Sequence, residues 1–306
     1  MALMRRLRWR LEYALGRGAI GLAAFVPEWL GYGAAALAGR LYHRCSPRRR
    51  RAALHMLRNA WPGRPDRELH RIAARATGNI FKVPVDMARI TRLLASGGDI
   101  RSVVEHEEFE RLLPKPPFLG LTAHLGSWEM AAVAMATLTH EAHGVARAFR
   151  NPLLQQWLLD NRRRGGLHIH SRRGGIRGMT AALERGAVGL QVVDQNQRKR
   201  GVFVPFFGEL ASSERAAVTL ALRLQLPVVV GACVRVGSGF RFRLLATPPF
   251  RIADTGDQEA DVRNAMMEVN RRLEQHVRDH ADQYLWIHER YRTKPQPQQD
   301  QDDDRT

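Results

Sequence analysis

From Pro117 onward, short apolar segments alternate with longer segments of helical periodicity, and this alternation constrains the fold more than any other feature. The expected strands lie at 117–123, 144–148, near His168, at 189–193 and at 227–236, with a hairpin at 237–239. The expected helices lie at 128–138, 152–163, 175–185, 213–224 and 260–280. Such alternation is typical of an α/β fold in which helices flank a mostly parallel central sheet.

His124 and Glu129 frame the end of the first expected strand and the start of its helix. Gly126 interrupts the strand and Ser127 can cap the helix, which puts the carboxylate in the first helical turn. An imidazole has an ordinary pKa near ~6.5, and a neighbouring carboxylate can keep one ring nitrogen protonated while the other acts as a base. The spacing predicts a catalytic pair that deprotonates a hydroxyl; a surface or capping histidine is the alternative.

The turn between these two residues carries a second prediction. Backbone N–H groups at a helix start attract anions, so Gly126 and Ser127 are predicted to bind a substrate anion or a developing oxyanion.

No cysteine pair, His-Glu-x-x-His motif or Asp-rich loop accompanies His124 and Glu129, so we expect no metal. No serine or cysteine lies in a recognisable nucleophile elbow, so we expect no covalent intermediate on such a residue.

The N-terminal region is both apolar and basic. Residues 19–42 are mostly apolar, with arginine clusters at 5–10 and 48–51 on either side. Pro27 and Glu28 interrupt the run and leave apolar pieces shorter than the roughly 20 residues that a spanning helix requires. We expect a helical membrane-associated segment that lies in or enters the interface. A single span and a helical hairpin buried against the catalytic domain are the alternatives, and no cleavable signal peptide is evident.

The chain carries a formal net charge of +18, which predicts a polyanionic partner. Anionic lipid headgroups, an acidic carrier protein and nucleic acid all qualify. The sequence contains no helix-turn-helix, zinc-finger or RNA-recognition motif, so we expect no nucleic acid. Cys45 and Cys233 form no disulfide framework, which favours a reducing, cytoplasmic environment.

Five segments in order resemble one known family. Besides the His-x4-Glu segment at 120–130, they are 145–154, 192–195, 201–208 and 282–291. Together they resemble the lipid A biosynthesis (lauroyl/myristoyl) acyltransferases of bacterial inner membranes, within the glycerolipid acyltransferase-like superfamily. The resemblance extends from the basic N-terminus to about residue 295.

The resemblance implies a reaction and roles for particular residues. An acyl thioester, on acyl carrier protein or coenzyme A, would donate a fatty acyl chain to a hydroxyl of a glycolipid, foremost a lipid A precursor, without a further cofactor. His124 would remove the hydroxyl proton and Glu129 would orient the ring. Arg147 would stabilise the oxyanion or a phosphate, and Asp194 would fix that arginine or a sugar, or else merely cap a helix or loop. The implied location is the cytoplasmic face of the inner membrane.

Two features leave alternatives open. The family commonly has Trp-x-His-Arg-Arg near its C-terminus, whereas Glu289 follows His288 here. Another membrane lipid, such as a phosphatidylinositol mannoside or an aminolipid, is therefore an alternative acceptor. A non-catalytic basic protein that binds membranes or nucleic acid is a separate alternative class. The apolar run at 202–207 would line an acyl groove or pack in the core.

The sequence predicts four parts. Residues 1–45 form the basic and apolar membrane-associated segment, 46–95 a helical subdomain, 96–294 the α/β acyltransferase domain and 295–306 a polar disordered tail.

Overall fold

The computed structural model describes residues 2–146, 148–171 and 174–295, with the side chains of residues 2 and 3 left out. The helices are α1 Ala2–Phe25, α2 Glu28–Cys45, α3 Pro47–Ala60, α4 Asp66–Ile80, α5 Val83–Ala95, α6 Glu107–Leu112, α7 Trp128–Thr139, α8 Pro152–Arg164, α9 Gly175–Glu184, α10 Ala216–Arg223 and α11 Gln258–Asp279. The strands are β1 Val104–Glu105, β2 Leu119–Thr122, β3 Ala142–Ala146, β4 Leu167–Ser171, β5 Val188–Val192, β6 Val202–Phe206, β7 Glu209–Ser213, β8 Val228–Arg235 and β9 Phe242–Ala246.

The central sheet has seven strands in the order β1-β9-β8-β2-β5-β3-β4. Strands β8, β2, β5, β3 and β4 are mutually parallel, and β9 returns antiparallel to β8. The predicted mostly parallel sheet and the hairpin at 237–239 are thus confirmed. Since parallel strands end at the same edge, residues that follow β2 and β5 are brought together there.

The N-terminal half is helical. Pro27 occupies the N-cap position of α2, and α1 ends just before it at Phe25. Gly39 of α2 lies against α4, where a Cβ atom would stand only 2.6 Å from the carbonyl oxygen of Thr77. Residues 65–90 carry continuous helical periodicity in the sequence. In the structure they divide into α4 and α5, because Pro84, in the first turn of α5, cannot continue the preceding helix.

Helices α1 and α2 pack against the rest of the chain through one face only. α1 lies against α5 and α8, whereas α2 lies against α4. Their outer faces keep large apolar side chains exposed, including Leu7, Leu11 and Leu15 of α1 and Trp29 of α2. No helix in the described part of the chain is both long enough and apolar enough to cross a membrane.

The apolar run at 202–207 belongs to the core. Val202, Val204 and Phe206 of β6 are buried, and they join the cluster that includes Leu121 of β2 and Val269 of α11. Of the two sequence interpretations, core packing therefore holds and the acyl groove does not. The division into four parts stays a prediction, and all but the first residue of the expected tail at 295–306 lies outside the described residues.

Candidate active site

His124 and Asp194 form the centre of the site. β2 and β5 are paired in parallel register from Leu119 to Thr122, and both strands end at the same edge. The backbone N–H of His124 donates to Oδ2 of Asp194 at 2.9 Å, and its Nδ1 lies 2.7 Å from Oδ1. The Asp194 side chain is 3 % exposed and that of His124 is 15 % exposed. A buried carboxylate thus fixes both the position and the rotation of the imidazole.

Asp194 is ionised in this environment. Burial acts to raise its pKa, but the charge of His124 and the hydrogen bonds from its ring and backbone outweigh burial and lower the pKa to about 2. An ionised carboxylate accepts a proton-bearing Nδ1, which leaves Nε2 as the basic nitrogen. The side-chain amide of Gln195 lies 3.2 Å from Nε2 and donates to it in this tautomer. The arrangement supplies an oriented general base.

Arg290 supports Asp194 from the interior. Its guanidinium is buried and donates to the carbonyl oxygen of Ser212 and the hydroxyl of Ser213. Its charge also acts to lower the pKa of Asp194. Arg290 belongs to the C-terminal segment at 282–291, one of the five segments that carry the family resemblance, and no role was predicted for it from the sequence.

Glu129 does not contact His124 as the sequence predicted. It forms a bidentate ion pair with Arg162 of α8, with its two carboxylate oxygens 2.7 Å and 2.9 Å from one guanidinium nitrogen. Glu129 lies in the first turn of α7 and pairs with Arg162 of α8, whereas Asp194 follows the neighbouring strand β5 and contacts the ring of His124. The predicted partner of the ring was therefore wrong, whereas the prediction that Asp194 fixes Arg147 or a sugar stays a prediction. The catalytic role of Glu129 stays a prediction.

The backbone N–H groups of Gly126 and Ser127 are not free, contrary to the sequence prediction. Gly126 donates to the carbonyl of Gln283 at 3.0 Å, and Ser127 donates to the carbonyl of Cys233 at 2.8 Å. The turn has this shape because Gly126 has a φ of +62° and lies directly against β8, where a Cβ atom would overlap the Cys233 carbonyl. These two residues anchor the catalytic turn to its neighbours. Arg147, the other predicted substrate-binding residue, lies outside the described residues.

A cavity of about 1070 Å³ opens beside His124 and includes the Glu129–Arg162 pair in its wall. Its polar rim carries Arg49, Arg198, Lys199 and Arg292. Its opposite part runs beneath α7 and is lined by small and apolar side chains. The site thus combines the imidazole of His124 with a positively charged rim and an apolar interior. Among the described residues, no group of three histidine, cysteine, aspartate or glutamate side chains is arranged to hold a metal ion.

Comparison with known proteins identifies the family. The model of the bacterial lipid A biosynthesis acyltransferases matches residues 4–293. The chain belongs to this family. The resemblance drawn from the five sequence segments is confirmed, and the family is one of acyltransferases, the class of enzyme that the sequence predicted.

The chain is similar to curated lipid A acyltransferases over part of its length. It is 29% identical over 163 residues to the lipid A biosynthesis lauroyltransferase of Escherichia coli K12, which covers 50% of this chain and 49% of that protein. It is 26% identical over 147 residues to the palmitoleoyltransferase of the same organism, covering 47% and 46%. The chain therefore spans about half the length of the curated relatives it matches.

A solved structure also resembles the chain. The 1-acyl-sn-glycerophosphate acyltransferase PlsC from Thermotoga maritima aligns with a TM-score of 0.37 and 13% identity, over 79% of this chain and 97% of that one.

Proposed function

We propose that the protein is a membrane-associated O-acyltransferase that moves a fatty acyl chain from an acyl thioester to a hydroxyl of a lipid A precursor. The observation that carries this proposal is His124, whose Nδ1 is held 2.7 Å from a buried carboxylate beside a large cavity. Family membership supports the reaction class and the acceptor.

The chemistry follows from the two ring nitrogens. Nε2 of His124 takes the proton of the acceptor hydroxyl as its oxygen attacks the thioester carbonyl, and the carbonyl electrons move to oxygen. When the tetrahedral intermediate collapses, the carbon–sulfur bond breaks and the imidazolium returns its proton to the departing thiolate. Asp194 stabilises the imidazolium between these steps. General-base assistance of this kind contributes about 10²–10⁴ in rate.

Among the described residues that line the cavity, Arg162 is the cation best placed to act on charge there. Its bidentate pair with Glu129 fixes the guanidinium in the wall, and both side chains are 15 % exposed. A positioned guanidinium stabilises an oxyanion or a phosphate without reorganisation. In this proposal, Glu129 positions Arg162 and does not orient the imidazole.

The rim favours an anionic acceptor. Arg198, Lys199 and Arg292 line the cavity and have no carboxylate within ion-pair distance among the described residues. Glu289 also lies at the rim, but Arg48 of α3 holds it through two hydrogen bonds of 2.7 Å and 2.9 Å. Since its charge is balanced there, the departure from the family pattern does not favour an aminolipid. A phosphorylated lipid A precursor fits the remaining cations.

Membrane association is part of the proposal. The outer faces of α1 and α2 combine exposed leucines with Trp29, and Arg5, Arg6 and Arg10 lie exposed on the same helix as Leu7 and Leu11. Burial of apolar side chains together with attraction to anionic headgroups is how an interfacial helix binds a bilayer. We propose that this surface holds the cavity at the cytoplasmic face of the inner membrane, where the acyl thioester is supplied by acyl carrier protein or coenzyme A.

The test is acyl transfer by the purified full chain with labelled donors and a panel of acceptors. The panel contains a phosphorylated lipid A precursor, its dephosphorylated form, a phosphatidylinositol mannoside and an aminolipid. We expect transfer to the phosphorylated precursor and loss of transfer in His124→Ala. Preference for another acceptor would overturn the proposed substrate. A folded wild type that binds vesicles and transfers to none of them would favour a non-catalytic binding protein.

A further inference from the structure

Three side chains enclose the imidazole of His124. Asp194 holds Nδ1, and the indole of Trp128 meets the ring in a T-shaped contact with the ring centroids 4.8 Å apart. The side-chain amide of Gln195 lies 3.2 Å from Nε2, the nitrogen that has to take the proton of the acceptor. With Nδ1 protonated, Nε2 carries a lone pair, so the amide nitrogen of Gln195 donates to it. The base is therefore already occupied in this structure.

The backbone of the loop that carries Gln195 is fixed in place. The carbonyl oxygen of Gln195 accepts a hydrogen bond from the buried guanidinium of Arg290. The backbone N–H of Asn196 donates to Nε2 of His288 at 2.9 Å. The side chain of Asn196 also forms two hydrogen bonds with Thr293, of 3.0 Å and 3.1 Å. The amide of Gln195 is thus presented to the base by a well-anchored backbone.

The side chain of Gln195 is held much less firmly than its backbone. Gln195 is exposed, and among the described residues its amide has no hydrogen-bond partner besides His124. One hydrogen bond between uncharged groups gives only about a three- to tenfold preference for the bonded state. Rotation of the side chain therefore frees Nε2 without any movement of the backbone.

We infer that Gln195 is a gate on the catalytic base: its amide occupies Nε2 until an anchored acceptor displaces it, and so protects the acyl thioester from hydrolysis. The inference rests on the proposed acyl transfer. Water at Nε2 would give a proton to His124 while its oxygen attacks the thioester carbonyl. After the carbon–sulfur bond breaks, the imidazolium would return the proton to the departing thiolate. The products would be a free fatty acid and a free thiol, and the donor would be consumed without transfer.

The acceptor has an advantage over water in displacing the amide. Arg198 and Lys199 follow Gln195 by three and four positions in the same loop, line the cavity and are exposed. An acceptor whose phosphate binds these cations is held close to Nε2, so its hydroxyl reaches a high effective concentration there. Water has no such anchor and has to compete with the amide directly. The gate therefore opens for a bound acceptor.

Hydrolysis of the thioester in the absence of any acceptor tests the gate. The purified full chain is supplied with an acyl pantetheine thioester, and the released thiol is measured. We expect Gln195→Ala to hydrolyse this donor about three- to tenfold faster than the wild type. At saturating acceptor its kcat for transfer should stay within about threefold of the wild-type value, because a bound acceptor displaces the amide in both proteins. The added hydrolysis should disappear in the double variant His124→Ala with Gln195→Ala.

A second readout does not depend on turnover. Diethyl pyrocarbonate modifies the unprotonated nitrogen of an imidazole, and peptide mass spectrometry reports each histidine separately. We expect His124 to react about three- to tenfold faster in Gln195→Ala than in the wild type, because the amide no longer covers Nε2. His55, an exposed histidine of α3, is the internal reference and should react at the same rate in both proteins.

Gln197→Ala is the matched control. Gln197 belongs to the same loop and lines the cavity, but its amide donates to Glu214 and not to His124. We expect hydrolysis and modification of His124 to stay at wild-type rates in this variant. Thermal unfolding checks that every variant is folded.

The outcomes separate the gate from the proposed function. Unchanged modification of His124 in Gln195→Ala would overturn the inference, and so would equal gains in Gln197→Ala. If the wild type transfers acyl chains, unchanged hydrolysis in Gln195→Ala would overturn the gate alone. A loss of transfer without a gain in hydrolysis would also overturn it, since the amide would then assist transfer itself. Faster modification and faster hydrolysis in Gln195→Ala, with no transfer to any acceptor by the wild type, would count against the proposed acceptor alone.

Discussion

The imidazole of His124 and the carboxylate of Asp194 are 70 positions apart in the chain, yet Nδ1 and Oδ1 lie 2.7 Å from each other. The parallel pairing of β2 with β5 creates this contact, because the two residues follow strands that end side by side. Glu129, only five positions from the histidine, pairs with Arg162 instead. The site therefore contains two separate carboxylates with different partners: Asp194 orients the imidazole of His124, and Glu129 positions the guanidinium of Arg162.

The low pKa of Asp194 predicts a contribution to acid stability. Its folded pKa of about 2 lies below the ordinary value of 3.8, so its contribution is complete above about pH 4 and is lost as the pH falls through 2. The difference corresponds to about 2 kcal/mol. Urea unfolding of wild type and Asp194→Asn should therefore show a stability gap that narrows between pH 4 and pH 2. A gap that stays constant over this range would contradict the assigned pKa.

Gly126→Ala should destabilise the protein by clearly more than an ordinary glycine substitution. A Cβ atom at this position would overlap the Cys233 carbonyl, and the φ of +62° adds backbone strain. Gly63 is the matched control: its φ of +84° is also left-handed, but no atom lies within 4 Å of the added Cβ. We expect about 1–2 kcal/mol for Gly63→Ala and several kcal/mol for Gly126→Ala in urea unfolding. Equal losses would show that the catalytic turn is not tightly packed against β8.

Asp86→Ala should be among the most destabilising changes in the helical half. Asp86 of α5 is fully buried and receives hydrogen bonds from Arg235 of β8 and from the hydroxyl of Tyr32 of α2. Removal of the carboxylate leaves the arginine buried without its partner, at a cost of about 3–5 kcal/mol. The half-exposed pair of Arg243 with Glu105 is the control, and Glu105→Ala should cost at most ~1 kcal/mol. Comparable losses in urea unfolding would refute this ranking.

Membrane binding should depend on the exposed face of α1. The double variant Leu11→Ser with Leu15→Ser removes two exposed apolar side chains while the arginines of the helix stay in place. Burial of each leucine contributes about 1.5–3 kcal/mol, so vesicle affinity should fall at least tenfold. Met267→Ser on α11 is the control, because it changes an exposed apolar side chain far from this helix in the sequence. Vesicle co-sedimentation at two salt concentrations measures both the apolar and the electrostatic contributions. An equal fall in the control would contradict the proposed surface.

The sequence predicted the fold well because periodicity carries most of the information. The expected helix at 128–138 corresponds to Trp128–Thr139, and the expected strand at 227–236 corresponds to Val228–Arg235. Parts of the fold were not predicted. The apolar spacing of residues 65–90 continues across a break that Pro84 imposes, and β6 and β7 form an antiparallel hairpin where no strands were expected.

The site was harder to predict, because its contacts depend on which strands become neighbours. His124 was found from its local motif, and Asp194 was named without its partner. The sequence could not show that Asp194, and not Glu129, would contact the ring of His124. That contact depends on β5 lying beside β2, and strand order is not encoded in local spacing. Nor could it show that the N–H groups of Gly126 and Ser127 would be taken up by Gln283 and Cys233. Arg162 was visible only as one member of a basic cluster.

The measurement that tests the central claim most directly compares acyl transfer to the lipid A precursor by Asp194→Asn and by the wild type at saturating substrate. Asparagine keeps the shape of the side chain but removes the charge that stabilises the imidazolium, so we expect kcat to fall about 10²–10⁴-fold with little change in KM. Gln156→Glu, which alters an exposed residue of α8, serves as the control and should keep full activity. A folded Asp194→Asn protein with kcat close to that of the wild type would contradict the assignment of His124 and Asp194 as the catalytic base and its orienting carboxylate.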